Sequence, residues 1–204
     1  MLDIFNENYE YLGTSSKEEV HKKGYWHQVA SCMFINSSTN KIYMQYKNAS
    51  HNPVKNQNKI DITAGGHINA GENIEEGLIR EIFEESNYKL KISDIRKVGF
   101  RKIDIQPKED YIIKEFQYLY IYDNNIDLSK LKSIDDEVLY FIEFDIDELF
   151  AYINNPKGSI IGKTTNGNQS FKRQDFIKGY LEDDKLYFQY LQYIKQIIND
   201  SEAS

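Results

Sequence analysis

The stretch GGHINAGENIEEGLIREIFEESNY, residues 65–88, decides the fold class of this 204-residue chain. Its first seven residues contain three glycines, which interrupt the preceding apolar run and predict a loop. After the loop, apolar residues recur at helical spacing, so we predict a helix over residues 72–86 with residues 73–86 as its body. One side of this helix is apolar and would be buried against a sheet.

Three glutamates share another side of the predicted helix. At about 100° per residue, Glu81, Glu84 and Glu85 fall within a fan about 100° wide that adjoins the apolar side. Like charges at this spacing destabilise an isolated helix, so the cluster is explained if divalent cations neutralise it. Magnesium is usually held by a few carboxylates together with substrate phosphates. Arg80, one turn before Glu84, is placed to pair with that carboxylate.

The glycine-rich loop leads directly into the N-terminus of the helix. Free backbone N–H groups and the helix dipole favour an anion such as phosphate there. We therefore predict a phosphate-binding loop that includes Gly65, Gly66 and His67. Gly77 lies on the acidic side one turn before Glu81, where a missing side chain would leave room for substrate or metal. Loop and helix are thus expected to face the same ligand.

An ordinary amphipathic helix with a solvated acidic side is the alternative, and for a single Glu-Glu pair it would be the better interpretation. Here the spacing G-x5-E-x7-R-E-x-x-E-E fixes six positions, which makes coincidence remote. The segment resembles the Nudix box, GX5EX7REUXEEXGU, in which U is a bulky apolar residue. Asn87 stands where the box has its last Gly. This departure is mild, because Asn also adopts the left-handed conformation that follows many helices.

The resemblance implies a Nudix hydrolase with an α/β/α sandwich and a mixed β-sheet. It assigns the loop support to Glu72, and catalytic roles to four residues of the box: Arg80, Glu81, Glu84 and Glu85. The three glutamates of that set are the implied metal ligands, and the resemblance leaves open which of them acts as the base. The implied reaction is in-line attack by a metal-activated water on one phosphorus of a diphosphate. The implied cofactor is Mg²⁺, with Mn²⁺ as a substitute.

A further carboxylate ligand often comes from outside the box in this family. Glu137, ahead of a predicted late strand, is the candidate, although a surface charge at a strand edge is an equally good interpretation. The attached group of the substrate is left open by the sequence: nucleoside diphosphate sugars, dinucleotides, isoprenoid diphosphates and coenzyme-type diphosphates all fit. We expect residues 47–58, 106–111 and 160–169 to be loops that read this group.

The wider chain, from about residue 20 to 150, is similar to the Nudix branch that includes isopentenyl-diphosphate isomerases. The cues are GYWHQVASCMFIN at 24–36, IYMQYK at 42–47 and DITAGGH at 61–67. In the isomerases an essential cysteine precedes the loop histidine by two residues, and Gly65 stands there in this chain. The intact carboxylate pattern favours a hydrolase over an isomerase. It also argues against a catalytically silent sensing module, which would not need mutually repelling acids.

The four histidines and the lone cysteine are weighed separately. His27 and His67 match positions at which the isomerases bind metal. Because the isomerase cysteine is absent, we interpret both as structural or hydrogen-bonded, leaving open that either contacts ligand or metal and that His27 lines a pocket. His21 and His51 are predicted to be surface residues. Cys32 alternates within a strand and is predicted to be packed rather than reactive.

Composition limits the class of protein and its partners. A net charge of −7 argues against binding of nucleic acid polymers, so the expected partner is a small-molecule diphosphate. One cysteine excludes an internal disulfide and suits a reducing compartment. We find no basic start followed by an apolar run and no run of eighteen apolar residues, so neither export nor a membrane partner is expected. The predicted location is cytoplasmic, and the sequence leaves a homodimer open.

The whole chain, residues 1–204, is expected to be one Nudix-like domain. Its predicted parts are an N-terminal hairpin at about 1–15, a core at about 25–150 and a C-terminal helical tail at about 170–199. The predicted strands cover residues 2–5, 11–14, 28–35, 42–46, 95–100, 112–122 and 138–144. Besides the acidic helix, we predict helices over 147–154, over 171–180 with Ser170 as N-cap, and over 186–198.

Overall fold

The protein is described by a computed structural model that covers residues 1–51, 58–177 and 188–202. In these residues the chain forms eleven strands and four α-helices. The strands are β1 (Leu2–Phe5), β2 (Tyr11–Ser15), β3 (Trp26–Asn36), β4 (Lys41–Lys47), β5 (Lys59–Asp61), β6 (Ala64–His67), β7 (Arg96–Lys108), β8 (Tyr111–Asp123), β9 (Val138–Asp145), β10 (Ile160–Thr164) and β11 (Gly167–Phe171). The helices are α1 (Lys17–Lys23), α2 (Ile74–Ser86), α3 (Ile146–Asn154) and α4 (Phe188–Glu202).

The strands form one mixed sheet. Its main order is β11-β10-β9-β4-β3-β1-β2, with β5 paired to β4, β6 and β8 paired to β3, and β7 paired to β8. The β3–β8 pair is parallel, whereas β3 pairs antiparallel with β4 and with β6. The central strand β3 is apolar along most of its length, as expected for a strand covered on both faces. The predicted α/β class with a mixed sheet is confirmed.

Helices cover the two faces of β3, because successive side chains of a strand point to opposite sides. Cys32 and Phe34 pack with Ile82 of α2, in one core cluster. Met33 and Ile35 belong to a second cluster, which contains residues of α3 and α4. Cys32 is fully buried, and burial raises the pKa of its thiol, which confirms that this cysteine is packed rather than reactive.

Most of the predicted elements are present in the structure. The hairpin of β1 and β2 and the antiparallel pairing of β3 with β4 are confirmed. The strand predicted over 95–100 is longer, since β7 continues to Lys108 as one arm of a hairpin with β8. Helices α2 and α3 lie where they were expected. In the part of the chain that is described, no helix is both long and apolar enough to cross a membrane.

The C-terminal region differs from the prediction. Residues 160–171 form the β10–β11 hairpin, in which Ser170 pairs with Ile161 instead of capping a helix. The predicted helix over 171–180 is therefore wrong for its described residues, and 178–180 lie outside them. The missed signal is alternation: Ile160, Gly162 and Thr164 are buried while the residues between them are exposed. The helix predicted over 186–198 is α4, which begins at Phe188, with 186–187 outside the description.

Two further differences from the prediction concern β6 and the segment that precedes β3. The glycines after residue 64 do not end the strand, because β6 carries an extended backbone through Gly65 and Gly66 to His67. Helix α1 was missed altogether. Its signals were present in the sequence: Ser16 accepts a hydrogen bond from the N–H of Glu19 as N-cap, and Gly24 ends the helix in the left-handed conformation.

Candidate functional site

The ends of α2 are fixed by two asparagines. The Asn73 side chain caps the N-terminus by accepting a hydrogen bond from the N–H of Glu75. Asn87 has φ 59° and ψ 17°, and its N–H donates to the carbonyl of Phe83. The predicted left-handed cap at Asn87 is therefore confirmed. Between the caps, Leu78 and Ile82 are fully buried, so the helix cannot rotate without exposing its apolar side.

Arg80 connects the acidic side of α2 to the loop before it. Its guanidinium donates to both carboxylate oxygens of Glu72, at 2.9 and 2.8 Å, and to the carbonyl of His67 at 3.1 Å. It also donates to Glu81 at 2.8 Å and to Glu84 at 3.0 Å, which confirms the predicted pairing one turn apart. Arg80 thus orients two of the three carboxylates on the acidic side of α2, those of Glu81 and Glu84.

Glu72 is hydrogen-bonded to the loop that precedes α2. Its carboxylate accepts the N–H of Asn69 at 2.9 Å in addition to the Arg80 contacts. The hydrogen bonds from Arg80, more than any other effect, lower the pKa of Glu72, so this carboxylate is ionised at neutral pH. The loop is therefore closed by a permanent ion pair.

Glu85 is the most deeply buried carboxylate of the set, with 1% of its side chain exposed. One oxygen accepts the N–H of Gly65 at 2.7 Å, and the other lies 3.4 Å from Nζ of Lys47. Burial raises the pKa of Glu85 to about 7, against the opposing effects of Lys47 and the Gly65 N–H. Burial would lower the pKa of Lys47, but Glu85, Asp61 and Glu137 outweigh it and raise that pKa.

Lys47 was missed by the sequence interpretation, which placed it at the start of a loop. It is the last residue of β4. Tyr43, Gln45 and Lys47 occupy every second position of that strand, so their side chains point to the same face of the sheet. This alternation was the available signal. Of the other loops expected to read the substrate, 106–111 contains the β7–β8 turn and 160–169 lies in the β10–β11 hairpin. Residues 52–57 of the first loop lie outside the described residues.

Glu81 occupies the space that Gly66 leaves. A Cβ atom at residue 66 would lie 2.5 Å from Cδ and from Oε2 of Glu81, inside van der Waals contact. The Glu81 side chain is 17% exposed, and burial raises its pKa while Arg80 acts in the opposite direction. Gly66 is thus required for this carboxylate to face the loop.

Gly77 has a different role from the predicted one. A Cβ at this position would lie 2.8 Å from Cδ1 of Ile68 and 2.9 Å from Oε2 of Glu72. The absence of a side chain at Gly77 therefore lets the loop pack closely against the helix. The space is filled by Ile68 and Glu72 and is not open to substrate or metal. The prediction failed because position along a helix does not show which neighbour approaches it.

Glu137 lies directly before β9, half-buried, with its carbonyl accepting the N–H of Asn48 at 2.9 Å. Its negative charge is among the influences that raise the pKa of Glu81, Glu85 and Lys47. The chain thus places Glu137 within electrostatic reach of the acidic side of α2. Its role as an additional metal ligand stays a prediction.

Gly65 is crowded by the central strand. A Cβ there would lie 2.6 Å from the carbonyl oxygen of Ala30 and 2.9 Å from Cα of Ser31, both of which are backbone atoms of β3. A cysteine at residue 65 would therefore displace a strand rather than a flexible side chain. Unlike Gly71, Gly65 does not have a positive φ, so steric contact explains the glycine.

Three histidines meet beside this region: His21 from α1, His27 from β3 and His67 from β6. One nitrogen of each lies within 4.8 Å of the others, and the Nε2 atoms of His21 and His67 are 3.1 Å apart. His21 is 3% exposed, so its prediction as a surface residue is wrong; α1 buries it against β8. The side chain of His51 lies outside the description.

The three imidazoles are neutral at pH 7. Burial lowers the pKa of all three, that of His27 to about 4. Nδ1 of His27 lies 3.0 Å from the carbonyl of Tyr25, and Nδ1 of His21 lies 3.2 Å from that of Ile112. Glu115 is nearby, with Oε1 4.0 Å from Nε2 of His27, and burial raises its pKa to about 7.

The acidic helix, the glycine-bearing strand before it and the mixed sheet define a class of hydrolase, and comparison with known proteins agrees. Residues 26–162 match the NUDIX domain family model. An uncharacterized Nudix hydrolase from Clostridium acetobutylicum is 31% identical over 185 residues, which cover 90% of this chain and 88% of that protein. A second uncharacterized Nudix hydrolase, from Nostoc sp., is 26% identical over 102 residues, which cover 49% of this chain and 58% of that protein.

The chain belongs to the Nudix family, and it is a Nudix hydrolase, an enzyme acting on a diphosphate-type substrate. A solved structure agrees on the fold: DR0079 from Deinococcus radiodurans superposes with a TM-score of 0.53 at 20% identity, covering 74% of this chain and 87% of that one. The predicted family is confirmed.

Proposed function

We propose that the protein hydrolyses the diphosphate linkage of a small organic or nucleoside diphosphate, with Mg²⁺ held on the acidic side of α2. Arg80, Glu81, Glu84 and Glu85 form the catalytic set, and Glu137 adds a carboxylate from outside the helix. The observation that carries this proposal is Glu85, a carboxylate buried to 1% exposure beside a half-buried carboxylate, Glu81.

The donor set fits a hard divalent cation. The charge of Glu81 raises the pKa of Glu85, and the charge of Glu137 raises the pKa of both, so Arg80 and Lys47 compensate these negative charges incompletely. A cation with oxygen ligands would remove that excess charge. All the donors are carboxylate oxygens, which favours Mg²⁺ or Mn²⁺ over softer metals.

Mg²⁺, when bound, would supply an activated water and would stabilise the negative charge that develops on the attacking and leaving oxygens. The chain's own residues set the geometry. Arg80 fixes Glu81 and Glu84 relative to the loop, while the Gly65 N–H and Lys47 fix Glu85. One of these three glutamates would take the proton of the attacking water.

Lys47 has a second part in this proposal. Its ammonium lies 3.4 Å from Glu85, on the oxygen that the Gly65 N–H leaves free. Besides holding Glu85, this ammonium would be a donor for a phosphate oxygen of the substrate. We also place the protein in the cytoplasm, since its cysteine is a buried thiol.

A hydrolysis screen tests the proposed function. Chelator-treated protein is supplied with nucleoside diphosphate sugars, dinucleotides, isoprenoid diphosphates and coenzyme-type diphosphates, with Mg²⁺, with Mn²⁺ or with neither. We expect cleavage of at least one class, only when metal is added. Cleavage that persists without metal would contradict the proposal. Conversion of isopentenyl to dimethylallyl diphosphate without hydrolysis would show that the protein is an isomerase instead.

A further inference from the structure

A cavity of about 610 Å³ lies at the C-terminal end of α2, between the residues that follow the helix and the 3₁₀ turn at Leu128–Lys130. It is large enough for a small phosphorylated molecule. We call it the lysine cavity, and the described residues that line it are Asn87, Tyr88, Lys89, Ser129, Lys130 and Lys132. Half of these lining residues carry a positive charge, and none of them carries a negative one.

The ammonium groups of the lysine cavity are poorly compensated. Lys130 pairs with Asp127 at 3.6 Å, but both side chains are at least half exposed, so this pair is weak. Lys89 lies over the ring of Phe83, with Nζ 5.6 Å from the ring centre. Within the described ranges, no ion pair joins Lys89 or Lys132 to a carboxylate. The three positive charges therefore repel one another, and a bound anion would offset that repulsion.

The walls of the lysine cavity suit a compact anion. Tyr88 makes edge contacts with Phe34 and Tyr122, at ring-centroid distances of 5.6 and 6.2 Å, so one wall is held in place by the core. The Ser129 hydroxyl donates to Asp127 at 2.6 Å, which leaves the ammonium groups as the charged donors of the cavity. Lysine binds phosphate as a point charge. In a chain of net charge −7, three such charges on one cavity favour a ligand with several negative charges.

We propose that the lysine cavity binds a multiply charged phosphate compound, at a second site that does not need the metal proposed for α2. Among the described residues that line the cavity, none belongs to the proposed catalytic set. The backbone nevertheless connects the two sites. The N–H of Lys132 donates to the carbonyl of Ser86 at 3.3 Å, and that of Ile134 donates to the carbonyl of Glu84 at 2.8 Å. A bound anion would therefore steady the end of α2 without contacting its carboxylates.

Isothermal titration calorimetry with inorganic pyrophosphate tests this site on the full-length protein. Chelator is present, so that no metal is held on α2 and its carboxylates repel the anion. We expect one pyrophosphate per chain, with an affinity that falls as salt is added. The triple variant Lys89→Gln, Lys130→Gln and Lys132→Gln should bind at least about tenfold more weakly, because it removes the three attractive charges. A control triple variant makes the same change in net charge at exposed lysines elsewhere and should bind normally: Lys22→Gln, Lys91→Gln and Lys157→Gln.

Two calorimetric results would overturn the proposal. Equal weakening by the two triple variants would mean that the anion responds only to the net charge of the protein. Absence of pyrophosphate binding by the unmodified protein would mean that the cavity is not an anion site.

Nuclear magnetic resonance of the unmodified protein locates the anion without any substitution. In the same chelator solution, we expect pyrophosphate to cause its largest shifts of backbone amide signals at residues 87–89 and 129–132. Largest shifts at Lys47 and Gly65 would instead place the anion beside the carboxylates of α2 and would overturn the second site. Each of these results leaves the hydrolase proposal standing, because hydrolysis is tested with metal present.

Discussion

The acidic side of α2 and the histidine cluster are both buried groups of titratable side chains, but they are stabilised in opposite ways. On α2, the carboxylates Glu81 and Glu84 are paired with Arg80, and Glu85 is paired with Lys47. The histidines have no such counter-charges at the same distance. Burial keeps them neutral, and backbone carbonyls orient two of them.

This difference bears on the proposed function. Carboxylate oxygens are the donors that Mg²⁺ prefers, so the proposed hydrolytic metal belongs on α2. The neutral imidazole nitrogens are less suited to that ion. The two regions meet at β6, where Gly65 donates its N–H to Glu85 and His67 carries one imidazole. Substitutions around β6 can therefore separate their contributions.

The largest effect is expected on α2 itself. Glu84→Gln or Glu85→Gln removes a charged oxygen but keeps a helix-forming side chain, so turnover should fall about a hundredfold or more. Steady-state hydrolysis measures this. Glu76→Gln, on the exposed side of the same helix, is the matched control and should be near normal. Near-normal turnover by both Glu84 and Glu85 variants would refute the metal-helix account.

Gly65→Cys should disturb both regions. The new Cβ meets two backbone atoms of β3, so we expect a loss of about 2 kcal/mol in the free energy of unfolding, as for other overpacked cores. Denaturant titration measures it. No isomerisation should be gained, because moving a double bond needs an acid and a base across an apolar substrate. Formation of dimethylallyl diphosphate by this variant would contradict that argument.

Gly66→Ala should act on the α2 side alone. Its Cβ would displace the Glu81 carboxylate, and we expect kcat/KM to fall about tenfold, as misplacement of a metal-site group typically does. Gly99→Ala is the control, since its Cβ would make an ordinary 3.5 Å contact with Leu119. Equal kcat/KM values for the two variants would show that Glu81 does not need its observed position.

The smallest effect is expected at the end of α2, which belongs to neither cluster. Asn87 is left-handed, so Asn87→Gly should be neutral or slightly stabilising. Asn87→Val should cost on the order of 1 kcal/mol, because a β-branched side chain is strained there. Thermal melting distinguishes the two variants. Equal melting temperatures would mean that the conformation of this cap has little energetic weight.

The features that the sequence predicted correctly are those whose determining residues lie close together in the chain. The position of α2, the left-handed Asn87 and the pairing of Arg80 with Glu84 follow from spacing along one helix, and all are present. The β3–β4 pair follows from two apolar runs around a turn. Such features are determined by residues close together in the chain.

The features that were missed depend on tertiary contacts. Lys47 reaches Glu85 only because β4 and β6 both pair with β3, which brings the end of β4 close to α2. His21 was taken for a surface residue because nothing in its own segment shows that α1 packs on β8. Gly77 was predicted to leave room for substrate or metal, but it makes room for Ile68 instead. Each depends on which segment arrives from a distance, and residue spacing carries no such information.

The most direct test of the central claim is to measure where the hydrolytic metal binds. Electron paramagnetic resonance counts free Mn²⁺, and therefore bound Mn²⁺, in solutions of the chelator-treated protein. The account predicts that unmodified protein and Glu76→Gln bind Mn²⁺ and release it to excess Mg²⁺, while the Glu84→Gln with Glu85→Gln double variant does not bind it. Mn²⁺ binding by the double variant equal to that of the unmodified protein would contradict the assignment of the hydrolytic site to α2.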